Sequence, residues 1–261
     1  NLFVEAEHEG IVGRGEMSSY SLGPGAQQSA RVSQRELQDA ADALESVAPW
    51  EMQRIELLLH ERSAGAGARA ALDFACHDWL GRKAGAPVWR LLGADRERIV
   101  ETSLTVGIGS ADAVSERVRE WQGEYGGRIL KLKLGSPDGL DADRVALLAA
   151  TEAMVPGTTL RVDANGGWTP LGARVMLRWL AEHGVEYVEQ PLPVGQEGYL
   201  PELYAGAPLP IYADESCKTA ADVPGLAQCV HGVNLKLMKA GGICEGLRLI
   251  HCARAHGLRV M

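Results

Sequence analysis

The sequence predicts an α/β fold: a (β/α)8-type, TIM-like barrel preceded by a smaller α+β domain. Three observations lead there. The chain opens with a hairpin pattern followed by three helical stretches. From Glu101 onward, short β-rich runs alternate with helical patterns, strand following strand at about 22 to 30 residues, the cadence of parallel βαβ units. Seven such units with no GxGxxG fingerprint favour a barrel over a dinucleotide-binding sheet.

In chain order, residues 1–16 alternate Val4, Ala6 and His8 with Glu5, Glu7 and Glu9 about a turn near Gly10, a half-buried hairpin. Residues 17–28 (MSSYSLGPGAQQ) are rich in turn formers and read as a loop. Helices are expected over 34–46, with Ser33 as N-cap, over 51–61 and over 67–84. Cys76, His77 and Asp78 on the last of these are consecutive and so point in different directions, which suits packing and capping better than catalysis. The first domain then spans 1–98 and the barrel 99–261. Barrel strands are expected at 101–107, 128–134, 158–163, 185–189, 209–213, 232–237 and 257–261, with helices at 111–123, 141–154, 170–183, 219–229 and 243–256. No pattern settles 196–207. The last run is barrel strand seven, so an eighth strand is expected to be missing from this sequence and the barrel truncated.

Composition narrows the function. The chain is 46% hydrophobic and 23% charged, with a net charge of −8, which argues against nucleic acid or an anionic membrane as main partner. It contains no transmembrane-length apolar run and opens with no signal-peptide pattern. Five cysteines without a CxxC or a dense framework suit a reducing cytoplasm. Seven histidines include no HExxH pair, so a metal here would be held by carboxylates.

The chemistry sits where the barrel strands end. Lys131 and Lys133 share one face of the second barrel strand. Alone, such a pair reads as a solvated face. The next three strand ends, however, carry Asp163, Glu189 and Asp214, which are 26 and 25 residues apart, one βα unit each. A single such carboxylate commonly caps the following helix. Three converging on one barrel mouth would repel strongly, and a divalent cation resolves this, with Mg²⁺ the natural guest of an all-carboxylate set. Lys236 comes from the sixth strand, on the far side of the metal from Lys133. Two lysines held neutral in a dry site can take a proton from one face of a carbon acid and return it to the other, which is racemisation or epimerisation. Lys239 is read as a bystander, because NLK places Lys236 inside the strand.

The motifs KLKLG, RVDANGGW, VEQPL, ADES and NLKLMKAGG, in this order, resemble those of the enolase superfamily, muconate-lactonizing-enzyme subgroup. The resemblance covers the whole chain and implies a modified β/α barrel with an N-terminal α+β capping domain. It implies metal ligation by Asp163, Glu189 and Asp214 and acid/base roles for Lys133 and Lys236. Lys131 is implied to be the auxiliary lysine that favours the basic form of Lys133, and Asn165, Gln190 and Glu215 to be partners orienting ligands and lysines. Within the subgroup the chain is most similar to dipeptide epimerases. That likeness implies a dipeptide or related carboxylate substrate, Thr105 facing it, and a specificity loop near 17–28. Superfamily members are commonly oligomers, which leaves a homo-oligomer open. Muconate cycloisomerase and o-succinylbenzoate synthase share the same lysines and ligands and are sibling alternatives. A Schiff-base aldolase using Lys236 would not need three carboxylates, and a non-catalytic barrel would be expected to have lost at least one of the five charged positions.

Overall fold

In the computed structural model, which describes residues 1–18 and 30–261, the chain forms two compact units. The first comprises Asn1–Ile99 with Lys218–Ala221 and Leu235–Cys252; the second comprises Val100–Cys217, Asp222–Asn234 and Ala253–Met261.

The first unit begins with antiparallel strands β1 (Leu2–His8) and β2 (Ile11–Met17), paired from Leu2 opposite Met17 to His8 opposite Ile11. Glu9 and Gly10 both take positive φ, 51° and 72°, the hairpin turn whose twist matches the strands. Helices α1 (Ala30–Asp42), α2 (Met52–Glu61), α3 (Ala66–Ala84) and α4 (Val88–Leu91) follow. Met17, Leu37, Ile55, Leu59, Ala68, Ala71 and Leu72 pack into one buried cluster. Two sequence expectations change here. Ser33 is not an N-cap: the helical turn already includes Ala30, and Ser33 lies buried within α1. Met17 closes β2 and is buried rather than opening a loop, while residues 19–28 of that expected loop lie outside the described residues.

Alanines on α3 allow β2 to lie against the helix backbone. A Cβ built on Gly15 would come within 1.8 Å of the Ala71 carbonyl oxygen, and one on Gly13 within 2.1 Å of that of Ala75. At the far end, the Trp79 indole N–H donates to the His8 carbonyl at 3.0 Å. The hairpin and α3 are thus locked together by small residues in the middle and an aromatic clamp at one end.

The second unit is a single parallel sheet with strands in chain order: β3 (Leu104–Val106), β4 (Ile129–Lys133), β5 (Thr159–Asp163), β6 (Val188–Glu189), β7 (Ile211–Ala213), β8 (Gly232–Val233) and β9 (Arg259–Val260). Successive parallel neighbours joined by α5 (Ala111–Tyr125), α6 (Leu140–Ala153), α7 (Pro170–Glu182), α8 (Leu200–Ala205) and α9 (Val223–Leu226) make the wall of a TIM-type β/α barrel. Between β8 and β9 the chain forms α10 (Leu237–Ala240) and α11 (Ile243–Ala255). Leu130, Leu132, Leu160, Val162, Val188 and Ile211 are buried on one sheet face, and the alternate positions carry Lys131, Lys133, Arg161, Asp163 and Glu189 on the other.

The weak sequence signals resolve into short pieces. Residues 196–207 form a 3-10 turn, Glu197–Tyr199, leading into α8. The helix expected over 219–229 is reduced to a turn, Ala220–Asp222, and the four-residue α9, because Pro224 and Gly225 cannot sustain it. The sixth barrel run forms a strand only at Gly232–Val233, so Lys236 lies beyond it, as the N-cap residue of α10. Among the described residues, no helix is long and apolar enough to cross a membrane.

The contact between β2 and α3 has a direct test. Gly15→Ala drives a methyl group into helix backbone that cannot retreat as a side chain would, and it should cost at least about 2 kcal/mol. The melting temperature should fall by roughly 5 °C, whereas Gly123→Ala, where a Cβ meets nothing within 4 Å, should not lower it.

Candidate active site

Parallel register brings the charged residues to one level. Lys133 pairs with Asp163, Asp163 with Glu189, and Glu189 with Tyr212 across β4 to β7. Asp214 lies two residues past Tyr212, hence one pleat further along the same face. Asp163, Glu189 and Asp214 are all fully buried, and each offers an oxygen within 4.8 Å of the other two.

Three buried carboxylates demand compensation. The Lys133 ammonium donates to Asp163 Oδ2 at 2.7 Å. Lys131, one pleat deeper, donates to Glu189 Oε2 at 3.0 Å and lies 3.9 Å from Asp163 Oδ2. The like-charged lysine pair is therefore tolerated because each member faces a carboxylate. Asp163 Oδ1 accepts the backbone N–H of Asn165 at 2.9 Å, and Glu189 Oε1 accepts the side-chain amide of Asn234 at 2.6 Å. Among these five ionisable groups, three carboxylates face two ammonium groups. The donor set is all oxygen, fully buried and within 4.8 Å, which is what a hard divalent cation takes.

The other residues named from the sequence are placed as follows. Asn165 takes φ +49° and serves Asp163 through its backbone. Gln190, buried and at φ +39°, is the brace of the next loop: its Oε1 accepts from the N–H groups of Asp214 and Ser216 at 2.8 and 3.2 Å. Its Nε2 donates to the Leu192 carbonyl and to Ser216 Oγ at 2.7 and 2.8 Å. Glu215 is half-buried beside Asp214. Thr105 pairs in register with Lys131, so its side chain leaves the sheet on the lysine face, and it is exposed.

Sequence reasoning missed two residues. Asn234 carries a signal that could have found it, since it stands two positions before Lys236 in NLK and holds Glu189. Asp143, on α6, carries none. It is buried and accepts from the N–H groups of Gly135 and Ser136, at 3.1 and 2.9 Å, and from the Trp168 indole at 2.8 Å. It thereby ties the loop after Lys133 to the loop after Asp163. The brace at Gln190 is testable by urea unfolding. Gln190→Ala leaves the buried Asp214 N–H and the half-buried Ser216 N–H without their acceptor and should lower the unfolding free energy by about 2 kcal/mol.

Comparison with known proteins agrees with this geometry. Residues 2–93 match the mandelate racemase / muconate lactonizing enzyme N-terminal domain, and residues 113–261 match the enolase C-terminal domain-like family. A hydrophobic dipeptide epimerase of Roseobacter litoralis is 49% identical over 203 residues, covering 77% of this chain and 58% of that protein. Another, from a Flavobacteria bacterium, is 40% identical, covering 100% of this chain and 74% of that protein. The chain thus spans between half and three quarters of the length of these relatives. The crystal structure of an Enterococcus faecalis dipeptide epimerase complexed with Mg and the dipeptide L-Leu-L-Tyr superposes with a TM-score of 0.90 at 32% identity, over 99% of this chain and 73% of that one. With both family regions matched in order and a TIM-type parallel sheet carrying three buried carboxylates, the chain belongs to the mandelate racemase/muconate lactonizing enzyme family of the enolase superfamily.

Proposed function

We propose that this chain is a Mg²⁺-dependent epimerase that removes and returns the α-proton of a dipeptide. The observation that carries the reading is the single level of Lys133, Asp163 and Glu189, with a lysine ammonium 2.7 Å from a fully buried carboxylate of a three-carboxylate cluster. Similarity to hydrophobic dipeptide epimerases, and to a structure holding Mg and L-Leu-L-Tyr, supports the substrate class and the metal. A net charge of −8 suits a small-molecule partner better than nucleic acid. The absence of disulfides among the five cysteines suits the cytoplasm.

In this reading Asp163, Glu189 and Asp214 hold the cation. When bound, it supplies electrostatic stabilisation of the charge that develops on the substrate carboxylate. Inversion at carbon requires that the proton leave one face and arrive at the other, hence two bases. Lys133 supplies one and Lys236, from the NLKLMKAGG motif, the other. Lys131 engages Glu189 and Asp163 and keeps positive charge beside Lys133. Asn165, Gln190 and Glu215 orient the ligand loops, and Thr105 meets the substrate.

The test is deuterium incorporation at the α-carbon of a dipeptide library in D₂O, read by mass spectrometry. Exchange should occur with dipeptides, and Lys133→Ala and Lys236→Ala should each abolish epimerisation. Exchange with no dipeptide and no acyl amino acid would overturn the reading.

A further inference from the structure

We propose that Asp73, on α3, is a positioning residue for Lys236, acting through the turn it pins at the start of α11. The proposal deepens the two-lysine reading and rests on it.

Asp73 is 7% exposed, in the interior of a helix, so its carboxylate must be satisfied by protein. Its Oδ1 accepts the N–H of Ile243 at 2.6 Å and its Oδ2 that of Cys244 at 3.3 Å. These are first-turn amides of α11, which have no partner within their own helix. Asp73 is therefore an N-terminal cap supplied from 170 residues away in sequence. Its charge also favours that end of the helix.

The chain between Lys236 and this cap has no slack. The Lys236 carbonyl accepts from Lys239 and Ala240 at 2.9 and 3.0 Å, and the Leu237 carbonyl accepts from Gly241 and Gly242 at 3.0 and 2.9 Å. Gly242 takes φ +124°, and a Cβ there would lie 2.5 Å from the Asp73 side chain, so Asp73 rests directly on the last residue of the turn. Lys236 to Ile243 is one hydrogen-bonded unit whose far end is fixed by Asp73.

Asp73, His77 and Cys244 also lie within 4.8 Å of one another, the dimension of a metal ligand set. The hydrogen bonds account for them without an ion. Asp73 already serves two amides, and His77 Nδ1 lies 3.2 Å from its Oδ1. Burial opposes charge on His77, but Asp73 outweighs it and holds the imidazole above its ordinary range. Burial, reinforced by Asp73, pushes the Cys244 thiol up to about 12.

Asp73 thus acts on one lysine and not on Lys133, which sits on β4 among its own carboxylates. A neutral lysine that takes the α-proton becomes an ammonium, exchanges protons with solvent, and can return a deuteron to the same face. Each epimer therefore exchanges with retention on its own base. In Asp73→Asn, exchange into the epimer served by Lys236 should fall by roughly 10- to 100-fold. Exchange into the epimer served by Lys133 should stay near wild type, and inversion should fall equally in both directions. The lysine serving each epimer is assigned by the single Lys→Ala variants. If Asp73→Asn does not fold, Gly242→Ala disturbs the same contact from the other side and should give the same asymmetry. Equal loss at both epimers in a folded variant, or no loss at either, overturns the inference while leaving the epimerase reading intact. Absence of exchange in the wild type overturns both.

Discussion

Three carboxylates without solvent exposure, gathered within 4.8 Å, are the constraint from which the rest of the second unit follows. Burying one ion costs several kcal/mol even after relaxation, and like charges add repulsion. No stability argument recommends such a cluster. It persists because register places Lys133, Asp163 and Glu189 at one level, and because Lys131, Asn234 and the Asn165 amide take the other oxygens of Asp163 and Glu189. The arrangement is a charge-binding device whose polar groups are oriented in advance by the sheet.

The loops that hold these groups carry strain. Asn165 and Gln190 follow the buried carboxylates Asp163 and Glu189 directly or nearly so, and both take left-handed backbone conformations. Asparagine tolerates this through its short polar side chain; glutamine does so at a cost of order 1 kcal/mol. The Gln190 side chain offsets that cost with four hydrogen bonds that fix the loop bearing Asp214. Asp143 does the same for the loops after Lys133 and Asp163. The charged residues are thus seated by buried polar braces, so their geometry does not depend on exposed loops.

The parallel β/α alternation was legible because each strand leaves a short β-branched or leucine-rich run between helical patterns, and the three clustered carboxylates were legible because each sits one βα unit from the last. What escaped was of two kinds. Local signals misled where a longer element overrode them: Ser33 looked like a cap but lies inside α1, and NLK looked like strand although pairing ends at Val233 and a short helix begins after Lys236. Long-range roles left no local mark. Asp73 and Asp143 carry no mark in the sequence, and only the fold shows that Asp73 caps a helix 170 residues away and that Asp143 joins the loop at Gly135 and Ser136 to Trp168. Asn234 lay between, visible in its motif but not in its contact.

The central claim is that Asp163, Glu189 and Asp214 form one cation site. Calorimetric titration of the protein with Mg²⁺ tests it most directly. One saturable site per chain is predicted, weakened by at least about tenfold in Glu189→Gln. No saturable binding, or binding of unchanged affinity in that variant, would contradict the account.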